Sequence, residues 1–218
     1  MTPNANRKIV TVANSMGIQN ANKQQGTTRI IYDALPITSS ATTQTLRFFE
    51  NVNNRKFPFT NLNDNKLNVG ETLALQYFSV SIMNVDSGTD KVGGIQCLDN
   101  LNGGTNSLYR SDLTVKIAED TVVKKLPLQS MFAPFNKDSK FYGNLQVNPG
   151  NTTGLWADIG RPHDCFHFVN PIILVQQLEL VIELQIPAFT GNFQAGQDYY
   201  LVLTLEGLGS LFAPKTAY

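Results

Sequence analysis

Residues 178–186 read LELVIELQI, and a run this regular leaves a chain few ways to fold. Leu178, Leu180, Ile182, Leu184 and Ile186 alternate with Glu179, Val181, Glu183 and Gln185. Successive side chains of a strand point to opposite faces, so one face here is wholly apolar and the other largely polar. A helix would also bring Glu179 and Glu183 together. Five consecutive matches to a period of two, ended by Pro187, favour a strand with one buried face. The segment DYYLVLTLEGLGSLF, 198–212, behaves alike: Tyr199, Leu201, Leu203 and Leu205 form one face, and Tyr200, Val202, Thr204 and Glu206 the other. Its GLGS, 207–210, reads as a bulge or kink inside a β stretch.

Shorter runs of the same kind recur along the chain. They are KIVTVA (8–13), RIIYD (29–33), TLRFFENV (45–52), DLTVKIA (112–118), TVVKKLPL (121–128), FYGNLQV (141–147), LWADI (155–159) and CFHFV (165–169). ETLALQYFSVSIMNV (71–85) is longer, and its apolar parity shifts near Tyr77 and Phe78, the mark of a bulge or a bend between sheets. Turn clusters separate the runs: NLNDN at 61–65, DSGTD at 86–90, NLNGG at 100–104 and NPGN at 148–151. One helical turn is expected around 128–135, kept short by Pro134. Ten or so strands, almost no helical pattern and no fixed repeat predict an all-β antiparallel sandwich. The single shift in composition divides a polar arm, residues 1–28, from a domain spanning 29–218.

Composition narrows the function. Lys plus Arg and Asp plus Glu both number 17, so the net charge is zero. A groove that follows phosphates needs a basic excess, which argues against nucleic-acid recognition by the folded body. Charged residues are only 16%, and Asn, Gln, Ser and Thr supply most of the remaining polarity. Such a surface lets like copies approach without long-range repulsion. The charge is unevenly placed, however. Arg7, Lys8, Lys23 and Arg29 precede the first acid, Asp33, so the arm can lie against something anionic or simply be solvated. No apolar leader and no membrane-length run is present, which predicts synthesis in a cytoplasm.

Chemistry has one obvious address. HDCFH, 163–167, holds both histidines and Cys165, one of two cysteines, the other being Cys97. On a strand His163, Cys165 and His167 share a face, and all three are competent zinc ligands. Side chains at i and i+4 on a strand are nevertheless roughly 13 Å apart, too far for one tetrahedral ion unless the chain bends at Pro162. A Cys–His nucleophilic pair fares no better, because i and i+2 lie about 6–7 Å apart. The expectation is a structural strand without metal, cofactor or enzymatic activity. Asp86 and Asp90 lack the ligand count of a calcium loop. The aromatic residues gather around 48–78 and 132–168, where core packing or a stacking platform are both open readings.

The stretch TLRFFENVNNRKFPFTNLNDNKLNVGETLALQYFSVSI resembles the first strands of jelly-roll capsid proteins from small tailless icosahedral DNA phages. ILVQQLELVIELQIP and DYYLVLTLEGLGSLF resemble the closing strands. The resemblance runs loosely over 29–212 and includes no short diagnostic motif. It implies a jelly roll with a flexible N-terminal arm, serving as a major capsid protein in the virion. It also implies a homo-oligomeric shell, trimer or higher, that contacts other virion proteins. Arg7, Lys8, Lys23 and Arg29 would then face genome or inner-membrane lipid. Double jelly rolls are usually longer than 218 residues, so a single roll is expected, with two compact stacked rolls as the alternative. The rival class is a carbohydrate- or receptor-binding β-sandwich on a virion or cell surface.

Overall fold

A computed structural model describes residues 25–68, 71–96, 108–131, 141–148, 151–158, 165–176, 178–191 and 193–211. KIVTVA (8–13), the NLNGG cluster and Cys97 lie outside the described residues. Eleven strands are described: β1 Gln25–Pro36, β2 Gln44–Phe48, β3 Glu71–Asp86, β4 Val92–Gln96, β5 Asp112–Ile117, β6 Asp120–Pro127, β7 Phe141–Asn148, β8 Asn151–Asp158, β9 Cys165–Val175, β10 Leu180–Ile186 and β11 Gln197–Leu211. Among the described residues the helical elements are three short 3-10 turns, one of them Leu128–Met131 at the start of the expected helical turn.

The first sheet runs β1-β11-β3-β4, with β9 also paired to β3, and the second runs β2-β10-β5-β6. All pairings are antiparallel. Leave aside β4 and the separate β7–β8 hairpin, and eight strands remain. In chain order they read first-eighth-third-sixth in one sheet and second-seventh-fourth-fifth in the other. That interleaving of early and late strands is the signature of one jelly roll, two Greek keys wound into a sandwich. The alternative of two stacked rolls is corrected by this topology, since the two larger sheets are closed over one core. β10 presents Leu180, Ile182, Leu184 and Ile186 inward, and β11 presents Tyr199, Leu201, Leu203 and Leu205, as the alternation predicts. Each such side chain contributes about 1.5–3 kcal/mol on burial.

The parity shift in β3 has a clear cause. Leu73 and Leu75 face the core at odd positions, whereas Phe78, Val80 and Ile82 face it at even ones. The register jumps from Glu206↔Tyr77 to Gly207↔Leu75, leaving Gln76 as an extra residue. Gly207 sits beside this bulge, where a Cβ would lie only 1.9 Å from the Ala74 carbonyl oxygen. The same point distorts β9, which takes five steps from His167 to Ile172 where β3 takes two from Tyr77 to Leu75. Residues 168–171 therefore leave the ladder. Pro171, which has no N–H to donate, belongs in such an excursion.

One expected strand is shortened, and one strand is new. The strand expected over 45–52 stops at Phe48, because Phe49 and Asn51 adopt positive φ of 64° and 53°. The Phe49 N–H donates to Asp33 Oδ2 at 2.7 Å, a partner remote in sequence. β4 was not expected at all, because VGGIQ is a weak strand sequence. Its glycines let it pass close over β3: a Cβ on Gly93 would approach Asn84 Nδ2 to 2.9 Å.

Candidate interaction surfaces

Outside its shared core, the sandwich has two outer faces of opposite character. On the second sheet the outward residues form a charge ladder. Arg47 on β2 donates to Glu183 on β10 through Nη2 at 2.9 Å and Nε at 3.1 Å, and Lys116 on β5 meets the other Glu183 oxygen at 2.8 Å. Arg47 also reaches Glu50 at 2.8 Å. Hydrogen bonding from Lys116 first, then Arg47, holds the Glu183 carboxyl below its usual range. A depressed carboxyl stabilises the fold above its unfolded pKa, and that contribution is lost as pH falls through the folded value. Glu183→Gln should therefore flatten the acid limb of stability below about pH 4.5. Urea melts of both proteins between pH 3 and 7, compared with a neutral exposed substitution, check this; parallel curves would refute it.

The first sheet faces outward very differently. Ala34, Met83, Val85 and Val202 form a second buried cluster there, with Tyr32, Phe59 and Tyr200 packed against it. Cross-strand pairing aligns Pro36, Tyr200, Met83 and Ile95 in one row over four strands. Part of this face is roofed by residues 56–62. The Phe59 ring lies 4.8 Å from that of Tyr200, and the Phe59 carbonyl accepts the Ala34 N–H at 2.7 Å. Asn61 continues along β1, accepting the Tyr32 N–H at 2.9 Å and donating to the Ile30 carbonyl at 2.8 Å. Burial pushes both the Tyr32 and Tyr200 hydroxyls up, and the negative charges of Asp198 and Asp90 add to this at Tyr200.

Around this face apolar side chains stand in solvent. Phe57 is 82% exposed, Ile95 on β4 69%, and Val169 on the β9 excursion 87%. Scattered exposed apolar residues are ordinary, but these three border one sheet and accompany the half-buried Tyr32, Phe59 and Tyr200.

HDCFH is only partly described. His163 and Asp164 lie outside the described residues. Cys165 and His167 occupy one face of β9, as strand alternation requires, opposite Ser79 and Tyr77 on β3. The His167 ring stacks on that of Tyr77 at 4.7 Å and 25°. Phe166, between them, turns to the core and packs on Phe78 at 5.3 Å. Among the described residues no three His, Cys, Asp or Glu side chains converge as metal ligands do. Of the expected basic set, Arg7, Lys8 and Lys23 lie outside the described residues. Arg29 lies within β1, where Nη1 meets Glu71 Oε1 at 2.7 Å. The sequence reading missed the Asp33–Arg55 pair that shapes residues 49–61, and β4, whose outer edge pairs with no described strand.

Comparison with known proteins adds little. No protein family matches the sequence, and no curated protein does. Among solved structures the chain is similar to the 60-mer BFDV capsid protein at 10% identity, covering 90% of this chain and 98% of that one, with a TM-score of 0.28. A likeness that shallow bears no weight, and the jelly roll is read from the chain's own strand order.

Proposed function

We propose that this chain is a viral structural protein, one jelly roll per copy, that builds a capsid-type shell by associating with itself. The observation that carries this reading is the unequal dressing of the two outer faces. The chain's own 56–62 segment covers only part of the first sheet, and Phe57, Ile95 and Val169 remain exposed around it, apolar surface that a contact between copies would bury. A low charge density and zero net charge support dense packing of identical copies. The resemblance of the opening and closing strands to tailless-phage capsid proteins points the same way. In this reading the virion is the protein's location and other virion proteins are neighbours. Arg7, Lys8 and Lys23 supply the positive charge that a genome or lipid headgroups would meet, while Arg29 is already tied to Glu71.

Light scattering of the full chain, with negative-stain images, tests this reading. Closed particles or discrete multimers are expected, and a strict monomer at every concentration would overturn it. Phe57→Ser should leave thermal stability within about 0.5 kcal/mol, as befits an exposed site. The same variant should shift the multimer-to-monomer midpoint to higher concentration. Equal midpoints would remove Phe57 from the contact.

A further inference from the structure

The sheet edges are not equally protected. β1 is lined by residues 59–61 along Tyr32 to Ala34, through hydrogen bonds already described. β6 carries Lys124 and Lys125 on its exposed edge, the latter at φ 51°, where the ladder with β5 slips. Charge and irregularity of that kind block further pairing. β4 slips against β3 at Gly93 but carries no charged side chain within Val92–Gln96 to repel an added strand. It pairs with β3 on one side, no described strand pairs on the other, and Ile95 stands in solvent beside Met83. At its entry the 86–91 turn is acidic. Asp86 and Asp90 are exposed, and Asp198 joins them by accepting the Ser87 hydroxyl at 2.9 Å. Lys91 offsets only one of these charges.

The geometry points to β4 as an acceptor edge for the N-terminal arm of a neighbouring copy, added as an extra strand over residues 8–12. This rests on the assembly reading and names its contact. Three features of the chain fit the edge. Lys8, Val10 and Val12 share one strand face, so a basic residue followed by two apolar ones meets an acidic turn followed by Ile95. No acid precedes Asp33, so nothing in the arm is repelled by the turn. The direction also agrees, since a parallel register sets Arg7 and Lys8 beside Asp90.

Reach favours a neighbour over the same copy. β1 begins at Gln25, level with Glu71 at the far end of β3, whereas Gln96 lies opposite Ile82. With the added strand one spacing beyond β4, that is about 36 Å along the sheet and about 19 Å across it. The thirteen steps from Val12 to Gln25 span at most about 43–47 Å, leaving a nearly taut chain. It would also have to clear the 168–171 excursion, which stands on the same edge with Val169 outermost. An arm donated by another copy meets neither demand.

Zero-length carbodiimide coupling of the full-length protein tests this, using an equal mixture of nitrogen-15-labelled and unlabelled chains. Mass spectrometry should find Lys8 joined to Asp90 or Asp86 between a heavy and a light chain. Ile95→Lys should lower that link about tenfold, while Val122→Lys, on the β6 edge, should leave it within about twofold. Links confined to one chain, or from Lys8 only to other acids, would overturn the inference. Multimers by light scattering with the link elsewhere sink only this contact; a strict monomer sinks the assembly reading with it.

Discussion

Gly207→Ala should be the most damaging small substitution in this protein, costing at least about 3 kcal/mol and much of the soluble yield. The added methyl would sit 1.9 Å from the Ala74 carbonyl oxygen, 2.8 Å from its carbon and 3.0 Å from Leu75 Cα. All three are backbone atoms, so no rotamer change relieves the clash. Relief requires β11 and β3 to separate, and these strands are paired from end to end. Gly94→Ala is the control, because its methyl would meet a single side-chain atom, Asn84 Oδ1, at 3.3 Å. Denaturant melts of the two variants should differ by about 2 kcal/mol or more. Equal stabilities would mean that the crossing beside the bulge is looser than described.

Breaking the Asp33–Arg55 pair should come next, at about 3–5 kcal/mol for either alanine variant. Asp33 is fully buried on β1, and its carboxylate accepts from Phe49 N at 2.7 Å, Arg55 Nη2 at 2.7 Å and Arg55 Nε at 3.0 Å. Arg55 also donates to the Glu50 carbonyl at 2.9 Å. Asp33→Ala strands a guanidinium and a buried N–H, and Arg55→Ala strands a buried carboxylate. The double variant should cost less than the sum of the two singles, because neither partner is then orphaned. At about 2–4 °C per kcal/mol for a chain of this size, each single variant should melt roughly 10 °C early. Additive losses would show that the two groups act separately.

The two carboxylates respond to pH with opposite sign. Burial pushes Asp33 up, against the lowering effects of the Phe49 N–H and Arg55. The folded state therefore holds that proton more tightly, and the charge of Asp33 weighs against folding just above the unfolded carboxylate range. Acid sensitivity belongs instead to Glu183 on the charge ladder.

Much of the fold was legible because alternation is a local signal. Leu180 to Ile186 announced β10, and the changed parity between Leu75 and Phe78 announced the bulge at Gln76. What escaped depended on partners far along the chain. Nothing within TLRFFENV shows that Phe49 must turn, because the acceptor that turns it is Asp33. VGGIQ lacks strand propensity, and β4 forms because β3 offers it an edge, with Asn84 crowding any Cβ at Gly93. The candidate surfaces were less legible than the core. Alternation identifies two faces of β11 but not what covers the second one. Val202 is buried there in a cluster roofed by Phe59, from a loop between β2 and β3.

The place of β11 has a consequence in time. It is the last described strand to be made, yet it lies between β1 and β3 and hydrogen-bonds along both. Until it emerges from the ribosome, β1 has no ladder partner among the described strands and β3 lacks its longest one. The first sheet therefore cannot be finished before β11 is made, and its pairings join residues from Gln25 to Leu211, a topology that folds slowly. The unfinished sheet is a period of exposure to aggregation that ends only when this strand slots into the middle.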